Sequence, residues 1–145
     1  MAAEYTAALV QTVEERQNVL FTESPIPCKK GYVVHRDGSG IFRLRGLTNN
    51  CFARYFVQFG ANIQIPEGGT VGPISLAIVI DGEPLSAATA TANPGLAERY
   101  ANVTGFTLVD VPRNCCATIS IENVTPAATG AIDVLNANLI IERVA

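Results

Sequence analysis

Apolar and polar residues alternate with a period of two along much of this chain. In "YFVQFGANIQI" (55–65), Tyr55, Val57, Phe59, Ala61, Ile63 and Ile65 alternate with Phe56, Gln58, Gly60, Asn62 and Gln64. In "ISLAIVID" (74–81), Ile74, Leu76, Ile78 and Ile80 share one face; Ser75, Ala77, Val79 and Asp81 share the other. In "ATISIE" (117–122), Ala117, Ile119 and Ile121 alternate with Thr118, Ser120 and Glu122. Successive side chains of a strand point to opposite faces, so each stretch predicts a half-buried antiparallel strand. Weaker patterns predict strands at 8–13, 18–22, 31–36, 41–46, 103–110 and 131–144. The alternation of the last slips near Asn136, which predicts a bulge there.

Turn residues separate these runs: "RDGSG" (36–40), "PEGG" (66–69), "DGEP" (81–84), "NPG" (93–95), "VPRN" (111–114) and "TPAATG" (125–130). Gly, Pro, Asn and Asp supply the backbone angles that turns need. Two stretches compete as helices, "ALVQTVEERQ" (8–17) and "PGLAERYA" (94–101), but the β-formers Thr and Val in the first favour a strand. The expected fold is all-β, a sandwich or barrel of eight to ten antiparallel strands. No repeat, low-complexity segment or linker interrupts it, so one domain is expected.

Composition narrows the function. The chain has 145 residues, 48% of them apolar and only 16% charged, with a formal net charge of −3. That excludes a disordered chain. Lys29–Lys30 is the only adjacent basic pair, so nothing supports binding to nucleic acid or an anionic membrane. No apolar run approaches the roughly 20 residues of a membrane span. The first 17 residues lack a basic n-region and a long apolar segment, so an ordinary secretory signal is not expected.

Candidate chemistry is sparse. His35, the single histidine, stands beside Asp37 and Ser39. A nucleophilic triad draws its members from distant elements, whereas these three share one loop. No G-x-S-x-G elbow, phosphate-binding glycine loop or paired carboxylates occur, so no catalytic residue and no cofactor are expected. The cysteines, Cys28, Cys51, Cys115 and Cys116, lack the close pairs of a structural zinc site. Asp-Gly in "RDGSG" and "DGEP" is a turn signal before it is a calcium ligand. No metal is expected.

Disulfide or cross-link use of the four cysteines remains. Carrying the alternation back from Ile119 and Ala117 points Cys115 to the core. Cys116 then points outward with Thr118 and Ser120. Cys28 and Cys51 fall at loop positions near strand ends. Either can bridge to the pair if the Cα atoms come within about 7 Å, which stabilises a fold by roughly 2–4 kcal/mol. A bond between Cys115 and Cys116 themselves is strained. Cys116 is therefore the candidate for a second intrachain bond or one to a neighbouring subunit. The supposed outer faces carry Phe56, Ala77 and Val79, which makes those residues candidates for a subunit interface.

The order of "GSGIFRLRG", "IQIPEGG", "GPISLAIVIDGEPL", "TGFTLVDVPRNCCATISIEN" and "NANLIIERV" resembles the C1q/TNF-like jelly roll. It is especially similar to the small bacterial versions, the C-terminal domains of collagen-like exosporium glycoproteins. The shared patterns are G-I-F-x-L at 40–44, L-x-I-x-x-D-G at 76–82 and the closing apolar strand; the likeness spans residues 18 to 144. It implies ten strands in two sheets and a tight homotrimer. Unlike the exosporium proteins, this chain has no Gly-X-Y stalk. Residues 1–17 form a short extension, a plug or connector strand of the kind that endospore appendage subunits use, and 18–145 the jelly-roll domain. The leading expectation is a non-enzymatic, self-assembling structural subunit, trimeric or polymeric, of a bacterial surface, spore coat or fibre. It would reach the cell or spore exterior without an ordinary secretory signal. The alternative is a trimeric carbohydrate- or receptor-binding head, such as a phage fibre tip, with its site on loops 84–104 and 46–54.

Overall fold

The computed structural model describes residues 1–145, and its regular structure is entirely strand. The strands are β1 (Ala2–Ala7), β2 (Gln11–Val13), β3 (Glu23–Ile26), β4 (Val33–Val34), β5 (Phe42–Arg45), β6 (Phe52–Gln64), β7 (Ile74–Ile80), β8 (Glu83–Ala92), β9 (Ala101–Pro112), β10 (Cys116–Asn123) and β11 (Ile132–Arg143). They form two antiparallel sheets. One runs β3-β1-β11-β6-β9, with β2 also paired to β11; the other runs β4-β5-β10-β7-β8. This is a jelly-roll sandwich, as the alternation predicts.

The core lies between the inner faces of the two sheets. From the six-stranded sheet come Tyr55, Val57, Phe59 and Ile63 of β6 and Leu139 and Ile141 of β11. Phe42 and Leu44 of β5 meet them from the other sheet, with Ile119 and Ile121 of β10 and Leu76 and Ile78 of β7. Each buried aliphatic or aromatic side chain of this size contributes roughly 1.5–3 kcal/mol by leaving water. Tyr55 is fully buried yet satisfied, since its hydroxyl donates to the Arg45 carbonyl at 2.6 Å. The predicted slip in the last strand is present: the β11–β6 register shifts between Leu135 and Asn138, and Asn136 takes φ +53°.

Several expectations need correction. Neither helix candidate forms: 8–17 holds only the short β2, and 94–100 is loop. Residues 1–17 lie within the sandwich. β1 pairs with β11 over six residues, and Ala3, Tyr5, Ala7 and Val13 join the core. The region 84–104 is mostly strand, β8 and the start of β9, leaving 93–100 as the loop. β8 escaped prediction because the Ala/Thr alternation of "EPLSAATATA" contains no large apolar residue beyond Leu85; it is an edge strand, half exposed, with Pro84 near its start.

Candidate interface and thiol site

Two surfaces stand out, one on each sheet. The outer face of the six-stranded sheet is built by the polar half of the β6 alternation and its partners. Register places Phe56 opposite Leu108, Gln58 opposite Phe106, Gly60 opposite Thr104 and Asn62 opposite Asn102. On the other side of β6, Ile140 stands opposite Gln58 and Asn138 opposite Gly60. None of these ten residues is charged. Phe106 is 63% exposed and Leu108 58%, and the Phe56 and Phe106 rings lie 6.1 Å apart. Charges flank the patch: Glu142 stands opposite Phe56 on β11, Glu4 stands opposite Ile140 on β1, and beyond Phe56 Arg54 and Asp110 form a two-pronged ion pair at 2.7 and 3.0 Å. That guanidinium holds the Asp110 carboxyl below the usual carboxylate range.

Of the three residues expected at an interface, only Phe56 offers surface. Ala77 is 0% exposed and Val79 3%. β7 is central, flanked by β10 and β8. Ala77 sits between Glu122 and Thr89 in the ladder, and Val79 between Ser120 and Pro84. Both side chains are therefore already covered within the chain. Phe106 and Leu108 were not singled out from the sequence, although the alternation of "VTGFTLVDV" puts both on the face opposite Val103 and Val109.

The second surface is the end of the sandwich where β10 begins. Cys115 is exposed and Cys116 half-buried, and all four cysteines are free thiols. The expectation that Cys115 enters the core is wrong for a local reason. β10 starts at Cys116, and Asn114 just before it has φ +61°, in the left-handed region. The strand alternation therefore does not extend back through the turn. The two thiols face one another instead, Sγ to Sγ at 4.0 Å. The turn is pinned from β5: Gly46 N–H donates to the Cys115 carbonyl and Asn114 N–H to the Gly46 carbonyl, at 2.9 and 3.1 Å. Only glycine fits at 46, because a Cβ there would overlap the Pro112 carbonyl.

Arg45 stands opposite Cys116 and Arg43 opposite Thr118 in the β5–β10 ladder. The Arg43 Nη2 lies 3.5 Å from the Cys116 sulfur. That contact, with the Cys115 thiol beside it, lowers the Cys116 pKa from its ordinary value. Val34, Arg43, Arg45, Asn114 and both cysteines line an open depression of about 490 Å³.

The other cysteines separate. Cys51 is exposed, and its carbonyl accepts from Arg113 N–H at 2.9 Å, so it borders the same turn. Cys28 packs partly buried against the core, beside Tyr5. Burial first, and then the Cys28 thiol, push the Tyr5 hydroxyl up to about 12.

The loop around His35 is structural in its contacts. The imidazole stacks on Phe42 at 4.0 Å, and Nε2 donates to the Ser39 backbone carbonyl at 2.9 Å, not to its hydroxyl. Asp37 accepts from Ser24 at 2.6 Å. The His35 Nδ1 is buried without a partner. No His–Ser–Asp relay is assembled. No three His, Cys, Asp or Glu side chains converge as a metal site would require, and no helix is long and apolar enough to cross a membrane.

Loops 46–51 and 93–100 stand at opposite ends of the sandwich. The first precedes Phe52 at the start of β6; the second bonds Glu98 N–H to the Ile65 carbonyl just past its end. A strand of 13 residues spans about 40 Å.

No family model and no curated protein matches the sequence. Solved structures do match in fold. The Eiger TNF of S. frugiperda superposes with a TM-score of 0.68 at 8% identity, covering 100% of this chain and 92% of that one. Murine APRIL gives 0.63 at 9% identity, covering 98% and 99%. The globular domain of zebrafish complement 1qA gives 0.59 at 14% identity, covering 94% of each. The chain has the C1q/TNF-like jelly-roll fold that the sequence resemblance implies.

Proposed function

We propose that this chain is a non-enzymatic structural subunit that assembles with copies of itself through the outer face of the six-stranded sheet. The observation that carries the reading is that face: ten neighbouring uncharged residues, among them the exposed Phe106 and Leu108. An uncharged patch that exposes large apolar side chains on a sheet face marks an association surface, and burying it inside a closed ring satisfies every copy equally. The sequence resemblance supports a homotrimer and a place on the outside of a cell or spore. Asparagine and threonine in the centre of the patch supply hydrogen-bonding groups between copies without a charge to bury. The pairing of residues 1–17 inside their own sheet favours a closed assembly over a fibre joined by a connector strand.

A binding head with its site on both candidate loops has less support, because one ligand does not reach both ends of a single chain. The test is native mass spectrometry of the wild-type chain beside Phe106→Glu. A trimer that becomes a monomer in Phe106→Glu, with an unchanged circular dichroism spectrum, is the expected result. A wild-type monomer at tens of micromolar, or a trimer indifferent to the new charge, refutes it.

A further inference from the structure

The Cys115–Cys116 turn belongs to neither the core nor the uncharged face, yet it concentrates the chain's nucleophiles beside two cations. We propose that this pair is a redox-active dithiol that exchanges with small anionic disulfides, Cys116 attacking and Cys115 resolving.

Three features carry the assignment. The thiols are 4.0 Å apart and open to solvent at the rim of the depression. The Arg43 guanidinium is in contact with the Cys116 sulfur at 3.5 Å, and Arg45 is its cross-strand neighbour. A guanidinium favours the thiolate, the form that attacks a disulfide. Asp81 is the one acidic group acting on Cys116, and it opposes the arginines more weakly than Arg43 favours the thiolate. The same two cations decide between partners. They disfavour a metal cation at the dithiol and attract a disulfide that carries carboxylates, which arginine holds in paired hydrogen bonds.

The exchange balances in two steps. The Cys116 thiolate attacks one sulfur of the small disulfide, breaking its S–S bond, forming a mixed disulfide and releasing one thiolate. Cys115 then loses its proton to solvent and attacks the Cys116 sulfur. The mixed disulfide breaks, the second small thiolate leaves, and a Cys115–Cys116 disulfide forms. The small disulfide is reduced and the protein dithiol oxidised by the same two electrons. Closing 4.0 Å to a bond of about 2 Å takes adjacent residues into a strained ring, so the product is readily reduced again. Cys115 lies on the exposed turn just outside the ladder, whereas Cys116 is the first residue of β10.

The test uses the full reduced chain with oxidised glutathione as the anionic probe and cystamine as the cationic one. Alkylation and peptide mass spectrometry follow each cysteine. In Cys115→Ser the glutathione adduct should collect on Cys116, several-fold faster than on the more exposed Cys51. The preference for glutathione over cystamine should fall several-fold in Arg43→Gln, a change at an exposed side chain. In the wild type that adduct should not collect, and the peptide spanning both cysteines should carry an internal disulfide. Equal rates at Cys51 and Cys116, an adduct that persists in the wild type, or disulfide-linked dimers as the main product would each overturn the proposal.

Discussion

Asn123 is the one fully buried residue whose polar side chain ties four segments together, and its replacement tests the packing logic of the fold directly. It is 0% exposed at the end of β10. Its Nδ2 donates to the carbonyls of Val13 at 3.0 Å, Gly130 at 2.9 Å and Glu14 at 3.3 Å, while Oδ1 accepts from Thr125 N–H at 3.0 Å. The amide has two hydrogens for three carbonyls, so the longest of these contacts is shared. Asn123→Ala leaves at least the Val13 carbonyl and the Thr125 N–H buried and unpaired. An orphaned buried group costs about 1–3 kcal/mol, so the pair predicts a loss of about 2–6 kcal/mol. A domain of this size has a total stability of only about 5–15 kcal/mol. At about 2–4 °C per kcal/mol, Tm should fall by roughly 5–20 °C. Asn123→Asp is the sharper variant. A carboxylate cannot donate to the three carbonyls and turns its own lone pairs towards them, so at neutral pH it should be less stable than Asn123→Ala. Burial and the carbonyls raise the pKa of that new carboxyl. Its penalty is therefore absent while it stays protonated and appears as pH rises, so Asn123→Asp should regain stability in acid relative to Asn123→Ala. Thermal and urea unfolding at one fixed protein concentration measure all three, with Thr48→Ala as control. The Thr48 hydroxyl accepts one exposed hydrogen bond, from Asn50 N–H at 3.1 Å, and its loss should cost less than about 0.5 kcal/mol. An Asn123→Ala protein within about 1 kcal/mol of the wild type refutes the reasoning, as does an aspartate variant matching alanine at neutral pH.

Two further changes probe the same framework. Gly46→Ala forces a Cβ against the Pro112 carbonyl and should cost about 1–3 kcal/mol, the range of an overpacked site; urea midpoints check it, and a neutral result means that the turn is not pinned from β5. Tyr5, held at about 12, against an ordinary value of about 10, contributes stability that is whole below the ordinary value and lost as pH rises through the folded one. Denaturation midpoints should therefore fall less steeply above about pH 10 in Tyr5→Phe than in the wild type, and equal slopes contradict the raised pKa.

The fold was legible where burial is one-sided. β6, β10 and β11 alternate because one face packs and the other meets solvent, and even the bulge at Asn136 shows as a broken period. β7 misled for the opposite reason. Its centre is buried on both faces, so its period-two reading put Ala77 and Val79 on an outer surface that the neighbouring strands already cover. β3 and β8 left no signal because edge strands with Pro25 and Pro84 bury little. β1 looked like an appendage because "AAEYTA" is short and half small residues, and its partner β11 lies more than a hundred residues away. The thiol site failed at one residue. Alternation carried back from Ala117 to Cys115 runs one residue past the start of β10, into the turn that follows the left-handed Asn114, where Cys115 faces its neighbour and not the core. Nothing in the order of residues marked Arg43 and Arg45 as its companions, since strand pairing brings them there from a distant segment.

The two surfaces lie on different sheets, and that separation decides between uses for the cysteines. Phe106 and Leu108 project from the sheet of β6 and β9, while Arg43 and Cys116 belong to the sheet of β5 and β10. Copies that meet through the first sheet cover its outer face and leave the second facing away from the contact. A thiol serving as a cross-link within such an assembly would have to reach a cysteine of the adjoining copy across the buried face. Cys116 instead remains on the outer side, beside a partner thiol of its own chain and two arginines that neutral cross-linking does not need. Exposure to small solutes is what this placement preserves, and it does so whether the chain stands alone or assembled. Assembly and thiol exchange should accordingly be separable: Phe106→Glu acts on the first without slowing the second, and Cys116→Ser does the reverse.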